Sequence, residues 1–227
     1  MAKFSISTGL LSAVSEQLPG LLFDGAPLQP LEAGELLFAA GDAGNGCYRL
    51  EEGLLKVEVA SPRGEARIIA LLGPTALVGE LSLIDGLPRS ASVVALRDSV
   101  LRVVSREAFA HYTRAHPDTY RTLVTVLSRR LRDADATIAA ASFLSVRARV
   151  ARALVELAEH VGEEAGEGRI VLDHGVRQGD LAAMAGVARE NVSRVFSDFR
   201  KRKLVTLRSN RICLNDISAI ERMIEAG

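Results

Sequence analysis

The spacing of apolar positions changes character near residue 106. Before it, short β-type runs at 54–59, 67–72 and 99–104 alternate with polar turns. Glycines at 34, 41, 44, 46, 53, 64, 73, 79 and 86 punctuate them at short intervals. Many short strands between glycine turns predict a compact antiparallel roll of jelly-roll type over 28–105. Residues 1–26 read as helical turns broken by Pro19, Gly20 and Gly25. After 106 the step lengthens. Tyr120, Val124, Leu127, Leu131, Ala134, Ile138 and Ala141 follow alternating four- and three-residue steps, a heptad stripe. No Gly or Pro interrupts 118–141, which predicts one long helix. Its narrow seam, with small residues at 134 and 141, suits a two-fold pair of helices from two subunits; the alternative is a helix packed on its own domain. Residues 142–145 read as a hinge, with Ser145 capping a helix over 146–160. An acidic, glycine-rich loop at 162–168 and a strand at 170–172 follow.

Composition adds limits. Apolar residues are 48% and charged residues 25% of the 227, ordinary for a globular chain with two modest cores. No basic stretch followed by an apolar run marks a signal peptide, and no window reaches the length of a membrane span, so the expectation is a cytoplasmic protein without a membrane partner. Cys47 and Cys213 lie far apart and support neither a disulfide framework nor a four-thiolate cluster; Cys47 reads as a core residue. His111, His116, His160 and His174 have no partner spacing and read as surface or structural, so neither haem nor metal is expected. The formal net charge of zero hides an asymmetry: 1–145 carry 14 Lys and Arg against 16 Asp and Glu, 146–227 carry 14 against 12. Within 189–211 eight basic residues face only Glu190 and Asp198. That is either a solvated helix face or a phosphate-binding surface.

The segment 178–199 favours the second reading. Ala182 is followed after four residues by Gly186 and after six more by Val192, with Leu181, Met184, Val187, Val195 and Phe199 at the apolar positions. These are two helices meeting at a tight turn. Gly186 supplies the turn, and Val192 and Val195 bury the inner face of the second helix. Arg189, Glu190, Ser193 and Arg194 are left on its outer, N-terminal part, where a helix enters the major groove. Arginine bonds guanine O6 and N7 bidentately, and glutamate accepts from cytosine N4. The run Arg200-Lys201-Arg202-Lys203 is placed for phosphates, and Gln178 at the start of the first helix is a further candidate for DNA contact. Residues 205–207 and 211–214, with Ser209-Asn210 between, read as a two-stranded wing. The alternative is a helical hairpin that meets no nucleic acid.

A second constellation lies in the β half. A short helical turn starting near Gly79 offers backbone N–H groups to an anion. Arg89 can bond a cyclic phosphate with two prongs, Ser90 adds a hydroxyl and a backbone donor, and Glu80 can accept from a ribose 2′-hydroxyl. The alternative is that Glu80 and Arg89 form an internal salt bridge.

These motifs carry a family resemblance over roughly 28–215. Gly186-Val187-Ala188-Arg189-Glu190-Asn191-Val192-Ser193-Arg194 resembles the recognition helix of the Crp/Fnr transcription regulators, with its Arg-Glu-x-x-x-Arg signature. Gly79–Ala91, including Leu81, resembles the phosphate cassette of cyclic-nucleotide-binding domains. The resemblance implies TGTGA-like half-sites, with Arg189 and Arg194 reading guanines and Glu190 a cytosine. In cAMP-responsive members a Thr-Ser pair on the long helix contacts adenine, one residue from each subunit. The matching positions here are Ala134 and Asp135, so one base contact is lost, Asp135 can accept from adenine or guanine, and cAMP and cGMP both stay open. Arg130 is placed to approach the ligand from the same helix. The first helix departs from the family's Thr-Arg-Gln and begins Arg177-Gln178-Gly179, which puts its cap and one or two phosphate contacts in question.

The fold class expected is therefore α+β: an effector-sensing β-roll with N-terminal helical turns (1–105), a dimerisation helix and hinge (106–145), and a winged helix-turn-helix (146–227). The expected function is that of a homodimeric, cyclic-nucleotide-switched regulator binding double-stranded DNA and, by the resemblance, RNA polymerase. In that scheme ligand acts on the long helix near the hinge and re-aims both recognition helices. Two rivals are a regulator that needs no nucleotide and a nucleotide-binding module that meets no DNA. No Walker loop, nucleophile elbow or metal-ligand cluster points to an enzyme.

Overall fold

The computed structural model describes residues 20–62, 64–166, 168–172, 176–208 and 211–226. The expectations for residues 1–19, His174 and the wing turn Ser209-Asn210 lie outside the described residues. The chain divides into two compact units between Ala134 and Asp135.

The first unit runs α1 (Gly20–Phe23), β1 (Leu28–Leu31), β2 (Leu36–Phe38), β3 (Gly46–Ala60), β4 (Ala66–Leu72), β5 (Leu77–Val78), α2 (Glu80–Asp85), β6 (Ser92–Ser105), α3 (Arg106–Ala115) and the start of α4 (Asp118–Phe143). The sheet order is β1-β6-β3-β4, with β2 added to β6 and β5 to β3, all antiparallel. The spine is the pair β3 and β6, far longer than the short runs expected. β3 continues through Gly53, where φ is 102° and the register with β6 shifts on either side. A Cβ there would lie 2.2 Å from Ser99 Oγ and 2.5 Å from the Asp98 carbonyl oxygen, so this glycine is a bulge inside one strand and not a turn between two.

Leu50, Leu55, Val93, Ala95 and Leu101 of the spine, with Leu31 of β1, Leu72 of β4 and Val78 of β5, fill one core. A second cluster, Leu22, Phe23, Cys47, Leu77, Leu83, Val104, Phe109 and Leu123, seats α1, α2, α3 and α4 against the sheet. The long helix α4 therefore has two apolar faces. Leu123 and Val126 are buried, whereas Tyr120, Val124, Leu131 and Ile138 of the heptad stripe are exposed, Ile138 to 66%.

The second unit runs α5 (Val146–Val161), β7 (Gly162–Glu164), β8 (Ile170–Leu172), α6 (Gln178–Ala185), α7 (Arg189–Lys201), β9 (Val205–Arg208), β10 (Arg211–Leu214) and α8 (Ile217–Glu225). The strands pair in the order β7-β8-β10-β9. α5 is its axis. Val150, Ala151, Leu154, Leu157 and Val161 are buried, and α6, α7 and α8 pack on it. It also buries an ion pair, Arg152 Nε to Glu156 Oε1 at 2.8 Å, whose Arg152 Nη1 donates to the Ala136 carbonyl of α4 at 3.2 Å.

Three expectations change. The acidic loop is shorter, because Gly162–Glu164 forms an edge strand antiparallel to β8. A Cβ on Gly162 would fall 2.2 Å from the Ala158 carbonyl oxygen, so glycine there serves a close crossing. The hinge is narrower: α4 continues through Phe143, and only Leu144 and Ser145 separate it from α5. Ser145 caps α5 as expected, its hydroxyl accepting from the Ala148 N–H at 3.2 Å. Finally, α8 was not expected.

Candidate functional site

The cassette is built around two buried charges. Gly79 enters α2 with φ 82°, and a Cβ on it would lie 2.5 Å from Arg89 Nη1. Glu80, the first residue of α2, is 1% exposed. Its partner is not Arg89 but Arg130 of α4, Nη1 to Oε1 at 2.5 Å, and Arg130 Nη2 donates to the Leu77 carbonyl. This corrects the alternative of a Glu80–Arg89 bridge. Leu123, Val126 and Arg130 share one helix face, so the packing that buries the first two delivers the third to Glu80.

Arg89 is 4% exposed. Its Nη1 donates to the Gly79 carbonyl at 2.6 Å and its Nη2 to the Gly46 carbonyl at 2.7 Å. The guanidinium lies over the Phe38 ring, 4.2 Å from the centroid. Its backbone is clamped as well: Arg89 N–H donates to the Asp42 carbonyl at 2.9 Å, and Gly41 N–H to the Arg89 carbonyl at 2.8 Å. Among the described residues no carboxylate pairs with it, and its buried Nε has no hydrogen-bond partner. A buried cation held by neutral carbonyls and a ring is under-compensated, and an anion is the group that completes it. The donor set thus fits a phosphodiester.

Ser90, next to Arg89 in the chain, and Leu81 are exposed, and Ala91 is buried. Ala134 and Asp135 are exposed on α4. Sequence reasoning missed Arg106, whose Nη2 donates to the Gly44 carbonyl at 2.6 Å and the Ser82 carbonyl at 2.8 Å. It staples α2 to the loop before β3, and no spacing rule announces such a contact. Nearby, burial and then the Glu80 charge push the Cys47 thiol up to about 12, which leaves it inert.

In the second unit α6 and α7 form the helix-turn-helix. The departure Arg177-Gln178-Gly179 does not leave α6 uncapped, since Asp180 Oδ2 accepts from the Arg177 N–H at 3.0 Å. Gly186 ends α6 in the left-handed region, φ 60° and ψ 44°. Val192, Val195, Phe196 and Phe199 bury the inner face of α7; Phe196 had not been assigned to it. Arg189, Glu190, Ser193 and Arg194 are all exposed, and Ser197 continues their face one turn on.

Ser193 Oγ donates to Gln178 Oε1 at 3.2 Å. Arg200, Lys201 and Lys203 are exposed, Lys203 in a left-handed turn with φ 59°. Arg202 is occupied differently: its Nε reaches Asp198 Oδ1 at 3.2 Å, while Arg147 Nε approaches Asp198 Oδ2 at 3.5 Å. Arg208 and Arg211 face each other across the wing and add to the basic surface. Among the described residues no group of three or more His, Cys, Asp or Glu is placed to hold a metal, and no helix is long and apolar enough to cross a membrane.

Comparison with known proteins bears on both sites. The family model for the cyclic nucleotide-binding domain matches residues 28–116, and that for the Crp-like helix-turn-helix domain matches 148–223. The chain is 35% identical to the cyclic AMP receptor protein of Thermus thermophilus over 84% of each chain. It is 29% identical to a CRP-like cAMP-activated global transcriptional regulator of Mycobacterium tuberculosis, over 86% of this chain and 88% of the relative. The structure of a CRP-family transcriptional regulator, also from Thermus thermophilus, superposes with a TM-score of 0.75 at 26% identity, covering 87% of this chain and 96% of that one.

Proposed function

The chain belongs to the Crp/Fnr family of DNA-binding transcription regulators, with a cyclic nucleotide-binding domain, and we propose that it is a homodimer switched by cAMP or cGMP that reads TGTGA-like palindromes. The observation that carries the effector reading is Arg89: a guanidinium 4% exposed, clamped in main chain and side chain, with no carboxylate paired to it among the described residues. A cyclic phosphate supplies the missing charge, and the Glu80 carboxylate, held at the start of α2, receives the ribose hydroxyl. The ring phosphate and ribose are thereby recognised by Gly79, Glu80, Arg89 and Ser90, with Leu81 and Ala91 shaping the walls and Arg130 behind Glu80. Base choice falls to Asp135, because Ala134 has no side-chain donor or acceptor.

The exposed heptad stripe of α4 is covered by the same stripe of a second copy. Its apolar side chains stand in water otherwise, and a two-fold pair presents two recognition helices to one palindrome. Arg189, Glu190 and Arg194 read bases, whereas Gln178, Arg200, Lys201 and Lys203 meet phosphates. Ligand acts by binding the DNA-competent state more tightly than the other. RNA polymerase is the further partner through which bound protein alters transcription.

The test is calorimetric titration with cAMP, cGMP and a cyclic dinucleotide, then gel-shift on a TGTGA palindrome with and without each. Binding of one cyclic mononucleotide that tightens the shift supports the reading. Tight duplex binding indifferent to all three nucleotides replaces it with a ligand-independent regulator.

A further inference from the structure

The first turn of α6 is where this chain leaves the family pattern, and it is also where α6 meets the start of α7. A Cβ built on Gly179 would lie 2.8 Å from Arg189 Nη2 and 3.1 Å from both Cζ and Nε. Three guanidinium atoms thus stand over one patch of bare backbone. Gly179 itself is not in the left-handed region, so its own backbone does not call for glycine; the Arg189 side chain alone excludes a Cβ. Its neighbour Gln178 accepts from Ser193 Oγ at 3.2 Å. The first two residues of α6 therefore each engage one residue on the outward face of α7. Arg189 is exposed, and no hydrogen bond or ion pair within the described residues commits its donors.

We propose that Gly179 is a positioning residue for base reading: it gives the Arg189 guanidinium a floor and so fixes the direction in which its paired donors leave the helix. The proposal rests on the reading of α7 as the base-reading helix. An arginine reads guanine through two parallel bonds to O6 and N7, and both form only from a narrow set of side-chain poses. A long exposed side chain explores many rotamers, and a backbone surface beneath it removes a large share of them. A methyl group on Gly179 forces the guanidinium outward. The fold absorbs this easily, since the displaced atoms are the free end of a flexible chain, but the two donors no longer leave from the same place. Glycine here has one competing explanation, a phosphate approaching the backbone of α6 closely.

Full-length wild-type protein, Gly179→Ala, Arg189→Ala and the double variant are compared, each without nucleotide and with saturating cAMP and cGMP in turn. A palindrome library randomised in both half-sites gives the selected bases, and competition binding at two salt concentrations gives the affinities. Gly179→Ala should melt like wild type and keep its salt dependence. It should lose about fivefold or more of its discrimination at the base pair that Arg189→Ala relaxes, and at no other. In the Arg189→Ala background the glycine change should do nothing more.

Equal loss on every sequence, persisting without Arg189, overturns the proposal in favour of a phosphate approach. Identical selections by wild type and Gly179→Ala overturn it while leaving α7 as the base reader. A wild-type protein that selects no sequence overturns both.

Discussion

Replacing Arg89 with leucine separates the proposed ligand role of this residue from its structural one. Two terms act on stability. The Gly79 and Gly46 carbonyls lose their donors, at roughly 1–3 kcal/mol each if both are left unsatisfied. Against this, a charge is no longer held out of water, a relief of several kcal/mol for a buried ion. The two nearly cancel, so the variant should fold, with a melting shift of only a few degrees. For ligand binding nothing cancels. A doubly bonded phosphate loses two charge-assisted bonds at roughly 1.5–3 kcal/mol each, about 3–6 kcal/mol together. That is a fall in affinity of roughly a hundredfold to ten-thousandfold.

Calorimetric titration of wild type, Arg89→Leu and Arg89→Lys measures it, with thermal melts as the control for folding. Lysine keeps the charge without the fork and should fall between the other two. A leucine variant that melts normally and binds the nucleotide within threefold of wild type would refute the assignment of the phosphate to Arg89.

Other consequences are open to measurement. Ile138→Asp changes a residue 66% exposed in the single chain and should barely alter the fold. Removing two seam isoleucines from a dimer should weaken it by roughly 3–6 kcal/mol, visible by sedimentation as a shift to monomer at micromolar protein; an unchanged dimer would place the seam elsewhere. Burial lowers the pKa of His160 below its usual 6.5, opposed by the Glu156 carbonyl 3.1 Å from Nδ1. The folded state then binds fewer protons than the unfolded one, so this stability is present above pH 6.5 and is lost as pH falls through 6.5 toward the depressed folded value. His160→Gln should flatten that part of the stability curve in urea titrations between pH 7 and 5, and an unaltered slope would contradict the assignment.

The parts of the molecule that were legible in the sequence are those whose signal is local. The turn of the helix-turn-helix announced itself because Gly186 must be left-handed and Val192 and Val195 fall one turn apart. The long helix was readable from an uninterrupted heptad stripe, and Ser145 from its place ahead of an apolar run. Failures had two causes. Gly53 has the look of punctuation in the sequence, although a glycine opposite Ser99 lets one strand bulge and continue. Gly162–Glu164 looked like solvated loop because two glutamates mask an edge strand whose partner supplies the apolar side. α8 carries a local signal: Asp216 caps it, and Ile217, Ile220 and Ile224 follow helical spacing.

In the cassette the residue types were readable but the pairing was not. Glu80 and Arg130 are fifty residues apart, and only the packing of Leu123 and Val126 brings them together.

Under the proposed effector reading, that packing gives a small ligand leverage on the long helix. Arg130 spends its charge on Glu80 and the Leu77 carbonyl, while the very next residue, Leu131, turned by about 100° around the helix, is 64% exposed on the proposed seam. A ribose hydroxyl that bonds Glu80 either shares that carboxylate with Arg130 or displaces it, and in both cases the change is felt first on α4. A half-buried pair of this kind suits a switch because the attraction between the charges is offset in part by the cost of keeping Glu80 out of water. The ligand then needs only a modest difference in affinity between the two arrangements to move the population, typically 1–3 kcal/mol. An apolar contact in place of Glu80 and Arg130 would make the helix more firmly seated and the protein less able to respond.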